Sequence, residues 1–333
     1  MAADRGPGAR HRGHRAGILA LICLNAMPSS FRLSLRSLTA LLGVWLLLSC
    51  AVGKPIHGVI VTGQNNHNWP VSSEALRLTL EQSGRFDMDV AVSPAAGESM
   101  DGFRVDFSRY KLVVLDYNGA PWPAEMRQAF LDYVDAGGGV IVYHAADNAF
   151  PEWEEYNRLI ALGGWEGRDE RSGPYQYWVD GKLVQDLSPG RGGSHGARHP
   201  YALTLRRGAK HPIVKGLPAQ WMHAEDELYD LMRGPGEIGD LLYTAWADPD
   251  LQGSGREEPL VFTVRYGKAR IFHTMLGHAG STLEENPAMQ GAGFQVLLLR
   301  AAEWCARGRV TQRVPADFPT ADRVSLRPAY KQE

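Results

Sequence analysis

GVIVYHAAD, residues Gly139–Asp147, is a short apolar run that ends on a histidine and an aspartate. Its core of Val140, Ile141 and Val142 is β-branched, and a glycine run, Gly137–Gly139, precedes it. A run this short and this apolar reads as a strand buried on both faces of a parallel sheet, since one exposed face would demand alternation. Upstream, KPIHGVIVTG (Lys54–Gly63) and YKLVVLDYNG (Tyr110–Gly119) have the same character, each passing into polar residues at its carboxyl end. Between them, Ser72 or Ser73 can cap a helix carrying Leu76 and Leu80 and stopping at Ser83-Gly84. Phe86–Val92 alternates like a strand with one polar face. A helix from Pro123 to Ala136 has proline at its start and glycines after its end. Strand, helix and strand repeated in this way predict right-handed crossovers and an α/β fold with a parallel sheet covered by helices on both faces.

Further along, Gly163–His199 is rich in glycine, aromatic and charged residues with little periodicity. It reads as a long insertion at the rim, with one short hairpin around Asp180-Gly181. Strands return at Tyr201–Leu205, Asp240–Trp246, Leu260–Arg265 and Ala269–Thr274, and a helix over Gln290–Arg307 closes the domain. No internal repeat or dividing linker is present. The expected organisation is a leader over 1–26, a signal peptide over 27–53, one domain over 54–319 and a tail over 320–333.

The signal-peptide reading rests on Arg32 and Arg36 followed by an apolar run, Leu38–Leu48. That run is 11 residues long, whereas a spanning helix needs about 20. Leu47-Leu48-Ser49-Cys50 also matches a lipoprotein box, in which Cys50 would carry a lipid; plain cleavage after Cys50–Gly53 is the competing reading. Either way the domain is expected to be exported, to the periplasm or to a lipid anchor at the envelope, touching membrane only through that lipid. Residues 1–53 carry six arginines against Asp4, so of the total charge of −2 the remainder holds −7. A mildly acidic domain without a basic stripe is a poor match for nucleic acid. Only Cys305 lies beyond residue 50, which excludes a disulfide framework there and marks that thiol as a buried hydrophobe.

In parallel α/β sheets ligands bind outside the carboxyl ends of the strands. His67, Asn118, His144 and Asp147 all fall at that end, and His278 follows the last strand. His67 stands among Gln64, Asn65, Asn66 and Asn68, an amide-rich loop suited to the donor and acceptor needs of sugar hydroxyls; an ordinary polar turn is the alternative. Asp226, Glu227 and Tyr229 in EDELYD (Glu225–Asp230) offer carboxylates and a phenol for acid/base work, or a solvated acidic loop. His67, His144 and His278 with one of these carboxylates would suit zinc or another divalent ion. Trp122 and Trp153 are the tryptophans placed to stack on pyranose rings. His273, one step inside its strand, reads as a core histidine, and His211 as part of an X-Pro turn. The glycines at 137–139 precede a strand rather than open a helix, so a dinucleotide fingerprint is not supported.

The runs GGGVIVYHAAD, HPIVKGLP, EDELYD, YGKARIFHTMLGH and GFQVLLLRAAEWCARGRVTQRVPADFP, spread between Ile56 and Pro319, together resemble the ThuA-like (trehalose utilisation) family. The resemblance implies an α/β, three-layer, flavodoxin-like fold similar to that of class I glutamine amidotransferases, with the long insertion at its rim, and a role in carbohydrate use, with disaccharides or their keto forms as small-molecule partners. Those amidotransferases place a nucleophilic cysteine at the turn after the strand matching Gly139–Tyr143. Here that turn reads Tyr143-His144-Ala145-Ala146, with no cysteine and no serine, so glutamine hydrolysis is not expected. The expectation is an enzyme in which His144, Asp226, Glu227 and His278 act in acid/base chemistry, with or without a metal. In it His67, Asn118, Asp147, Trp153 and Tyr229 hold substrate. A non-catalytic sugar-binding or scaffold protein using the same rim is the alternative.

Overall fold

The computed structural model describes residues 54–206 and 210–327; the leader, the signal peptide and Cys50 lie outside the described residues. Four apolar strands build the centre: β1 (Ile56–Thr62), β2 (Phe86–Val92) with one exposed face, β3 (Leu112–Leu115) and β4 (Gly139–Tyr143). Between them run α1 (Trp69–Glu81) and α2 (Ala124–Asp135), and after β4 comes α3 (Glu154–Ile160). The strand order is β2-β1-β3-β4, all parallel, with the change of direction falling between β1 and β3. Right-handed crossovers run one way through α1 and the other way through α2, which puts these helices on opposite faces.

α1 begins one turn earlier than the serines suggest: Asn68 precedes its first turn and Pro70 sits within it. The Ser72 hydroxyl instead donates to Asp116 Oδ2 at 2.7 Å. On α2, Met126, Phe130 and Val134 repeat every fourth residue and are buried, as an amphipathic helix requires. Phe130 joins Trp122, Phe150, Trp153 and Tyr156 in an aromatic cluster.

The remaining strands are β5 (Tyr175–Val179), β6 (Lys182–Asp186), β7 (Ser194–His195), β8 (His199–Leu205), β9 (Gln220–Asp226), β10 (Tyr229–Asp230), β11 (Glu237–Trp246), β12 (Glu257–Arg265) and β13 (Arg270–Thr274). β13 pairs parallel with β4 as a fifth parallel strand. Beyond it, β12, β11, β8 and β9 continue the sheet antiparallel. The sheet is therefore mixed, with a parallel half as expected from the apolar runs and an antiparallel half that they do not predict. α4 (Pro287–Gln290) and α5 (Ala292–Arg307) follow, separated at Gly291.

The Gly163–His199 insertion is tied down by buried arginines. Arg168 donates to the carbonyls of Asn148, Ala149 and Gly164 and to Asn157 Oδ1. Arg233 donates to those of Gly173, Ser188 and Gly190. β5 and β6 form the expected hairpin, with Asp180 and Gly181 both at positive φ, the primed turn that suits strand twist. The segment after Pro319 is not a free tail in its described part: Met222 N–H donates to Thr320 O and Ala292 N–H to Ser325 O.

Candidate active site

Three strand ends of the parallel half each deliver one imidazole to the same place. His67 follows β1, His144 follows β4 directly and His278 follows β13. The antiparallel half delivers Glu227, the residue after β9. The candidate ligand atoms of His67, His144, Glu227 and His278 all lie within 4.8 Å of one another. Glu227 Oε2 is 3.2 Å from His278 Nδ1, 3.6 Å from His67 Nε2 and 3.9 Å from His144 Nε2. The rings of His144 and His278 stand edge-on to that of His67, each with centroids 4.7 Å away.

Neighbouring groups fix which nitrogen faces the centre. His144 Nδ1 lies 2.7 Å from Met275 O; a carbonyl can only accept, so Nδ1 carries the proton and Nε2 points inward with a lone pair. His67 Nδ1 lies 3.2 Å from Asn65 Oδ1, which also accepts from the His67 backbone N–H. The Asn65 amide is oriented by donating its Nδ2 to Asp116 Oδ1 at 3.0 Å. In a neutral His67 this again leaves Nε2 as an acceptor. His278 Nδ1 is buried without a hydrogen-bond partner of acceptable geometry. Acceptor nitrogens thus converge on a carboxylate, an arrangement that becomes favourable when a cation sits among them. The donor set of three imidazoles and one carboxylate fits a divalent first-row ion.

Burial, reinforced by His67, pulls His144 down to about 3, so its imidazole is neutral at physiological pH. Burial alone would raise the Glu227 carboxyl, but the facing His278 and His67 outweigh it and hold it far below the usual carboxylate range. His144 takes φ 44°, in the left-handed region that costs a non-glycine residue energy and recurs at functional sites. Gly277, before His278, has φ +108°, and a Cβ there would stand 2.7 Å from the Tyr143 ring; only glycine fits that approach.

Tyr229 on β10 stacks on His144 with ring centroids 4.5 Å apart, and its hydroxyl lies 3.0 Å from His144 Nε2. Burial, together with the nearby carboxylates, pushes its phenol well above the ordinary value, so it keeps its proton. On the other side of Glu227, Oε1 lies 3.7 Å from Arg198 Nε and 3.9 Å from His195 Nε2, both exposed. Trp165 completes this edge, its ring 4.7 Å from that of Tyr229.

Asp226 and Asp147 stand elsewhere than expected. Asp226 is fully buried behind the cluster, bonded to His223 Nε2 at 2.7 Å and accepting from the backbone N–H groups of Gly277, His278 and Glu227. It anchors the His278 loop to the end of β9 and does not face a substrate. Asp147 is buried against His273 Nε2 at 3.4 Å, so it binds no ligand at the rim. His273 is the core histidine expected, its Nδ1 donating to Ile160 O. Asn118 sits at the rim and exchanges hydrogen bonds with Asn66. Trp153 is 5% exposed in the aromatic cluster. His211 bonds the Ile213 N–H, a structural role. Cys305 is buried and desolvation raises its thiol pKa steeply, which leaves it unfit as a nucleophile.

His195, Arg198 and Trp165 carry no signal in the sequence beyond lying in the insertion. The separation of Glu227 from Asp226 likewise needs the strand that precedes them. A cavity of about 600 Å³ lies at the opposite end of the parallel strands, beside Tyr110, Tyr133 and Arg270, away from the imidazoles.

The family model described as ThuA, trehalose utilisation, matches residues 59–305. Among solved structures the chain is similar to a ThuA-like protein of Parabacteroides merdae, at 64% identity and a TM-score of 0.82, over 84% of this chain and all of that one. It also matches a ThuA-like protein of Bacteroides uniformis at 16% identity and a TM-score of 0.45, over 78% of this chain and 97% of that one. No curated protein matches the chain.

Proposed function

The chain belongs to the ThuA, trehalose utilisation, family, and on that premise we propose that it is an envelope-located enzyme acting on a disaccharide or keto-glycoside by metal-assisted acid/base chemistry. The single observation that carries this reading is the convergence of His67, His144, His278 and Glu227 within 4.8 Å. These four residues would hold a divalent cation, which when bound supplies Lewis acidity toward a carbonyl or hydroxyl oxygen.

The protein's own groups then divide the work. His144 stays neutral through burial, held in one tautomer by Met275 O. Tyr229, still protonated, stands beside its Nε2 and can hand a proton to a substrate oxygen seated at the cluster. At the exposed edge Arg198 provides donors for hydroxyl or carbonyl oxygens, while a neutral His195, its Nδ1 donating to Gly196 O, presents Nε2 as an acceptor for a hydroxyl. The Trp165 ring offers an apolar surface for a pyranose face. No covalent thiol step is available at the turn after β4, where His144 stands. The envelope assignment is supported by the basic and apolar pattern of residues 27–53.

Metal analysis of the purified domain, combined with a screen of native and 3-keto disaccharides, tests the reading. The expected result is about one divalent ion per chain and conversion of at least one sugar that His144→Ala abolishes. A folded His144→Ala protein that turns over normally overturns the mechanism. Sugar binding with no conversion of any form would identify a binding protein instead.

A further inference from the structure

The amino ends of the parallel strands form a face whose charge runs against that of the domain. Arg109 and Lys111 lead into β3, Lys268 and Arg270 stand at the start of β13, and Arg309 follows α5. α5 ends beside them, where Arg270 Nε donates to Cys305 O. Only β4 separates β3 from β13, so their starts lie about 10 Å apart. Arg109, Lys111, Lys268 and Arg309 are exposed and in no ion pair among the described residues. Arg85 and Arg265, at the same end, are matched by Glu303 and Glu237. The cavity of about 600 Å³ lies among these cations, with Lys111 and Arg270 on its wall beside Asp106 and Asp132. Asp135, in the last turn of α2, is the other carboxylate close by.

The opposite ends of the strands differ in sign. Glu98 and Asp101 follow β2, Glu152 follows β4, and Glu284 and Glu285 follow β13, all of them exposed. Residues 54–333 carry a net charge of −7, so the basic face arises from arrangement. Its cations come from separate loops, which is why no basic run stands in the sequence. The chain also enters the domain at this face, since β1 begins at Ile56 and runs parallel to β3. Cys50, where a lipid is expected, precedes Ile56 by six residues, a reach of at most about 20 Å. A lipid headgroup layer within that reach presents phosphates, which attract clustered lysine and arginine.

We propose that this face docks on an anionic phospholipid bilayer and so turns the imidazole cluster, at the other ends of the strands, away from the membrane. The proposal rests on the envelope reading above and deepens it by giving the domain an orientation. Residues Pro55–Glu333 form one compact unit with its own core, so the test uses the domain without leader or lipid. Co-sedimentation is measured with phosphatidylcholine vesicles, with and without phosphatidylglycerol, at low salt. An Arg109→Gln, Lys111→Gln, Lys268→Gln variant neutralises the face. An Arg171→Gln, Lys182→Gln, Arg191→Gln variant removes the same charge from the insertion. Melting curves and cation content establish that both are folded with the cluster intact.

Wild type and the insertion variant should bind only the vesicles that contain phosphatidylglycerol, and added salt should release them. The face variant should lose about 10- to 100-fold of that partition. Absence of binding by wild type, or equal losses in the two variants, overturns the docking face and leaves the cation chemistry, read by metal content, standing. Tighter binding to duplex DNA than to the vesicles assigns the face to nucleic acid and overturns the proposal as well. Cell fractionation that recovers the full chain in the cytosol with its leader uncleaved overturns the envelope reading, and this orientation with it.

Discussion

The two halves of the sheet differ in what they contribute. β1, β3, β4 and β13 of the parallel half are almost wholly buried, and their carboxyl ends supply three imidazoles that neighbours hold in place. The antiparallel half is more polar and, together with the separate two-stranded β7–β10 sheet, supplies the carboxylate, the phenol and two exposed basic side chains: Glu227, Tyr229, Arg198 and His195. A stiff apolar frame fixes donor nitrogens to within ångströms, whereas edge strands and an insertion bring charge to them. Neither half holds a complete centre, which makes Glu227 the residue through which they meet.

The sharpest way to break that comparison is Glu227→Ala, with Glu227→Gln as the milder control. Both should empty the cation site and reduce turnover by at least about 10³-fold, measured by metal analysis and sugar conversion. Full loading in either variant would mean that the parallel half suffices alone. Tyr229→Phe keeps the stacking on His144 and removes only the hydroxyl. Turnover should fall about 10²-fold with cation content unchanged; an unaffected rate would deprive the β7–β10 pair of its role as proton donor. Asn65→Ala removes the partner of His67 Nδ1 within the parallel half, and a titration should find cation affinity lowered about 10- to 100-fold.

The smallest expected effect concerns pH. Burial raises Glu258, on β12, to about 7 from an ordinary 4.5. The folded state therefore retains a proton that the unfolded chain releases between those values, and the slope of stability with pH is negative there. This contribution is complete below about pH 4.5 and is lost as pH rises through about 7. Glu258→Gln can still accept from Ser254 Oγ and the Leu231 N–H, which now bond the carboxylate. Melting curves should show the variant's Tm falling less than wild type between pH 5 and pH 8, by a few degrees. Parallel curves would remove the effect from this half of the molecule.

The unequal legibility of the halves has a physical cause. Strands buried on both faces must be continuous apolar runs, so GVIVYHAAD and its relatives declare themselves together with the histidines at their ends. β9, Gln220–Asp226, is buried irregularly along its length, and its mixed sequence gives no such signal. The insertion is ordered by Arg168 and Arg233 reaching backbone carbonyls, interactions without periodicity. Asp226 and Glu227 illustrate the limit most clearly. Both look equally suited to chemistry in EDELYD, yet the backbone turns one inward to anchor Gly277 and His278 and the other toward the imidazoles.

By itself the sequence determined the parallel core, the family resemblance, the absence of a nucleophile after β4 and the strand ends from which His67, His144 and His278 project. Only the tertiary structure decided that these meet on Glu227, that Tyr229 lies against His144, and that Asp147 and Asp226 are sealed away. Apolar burial is written locally, residue by residue. Convergence of polar atoms depends on strand order and on side-chain direction at each strand end, which no single segment encodes.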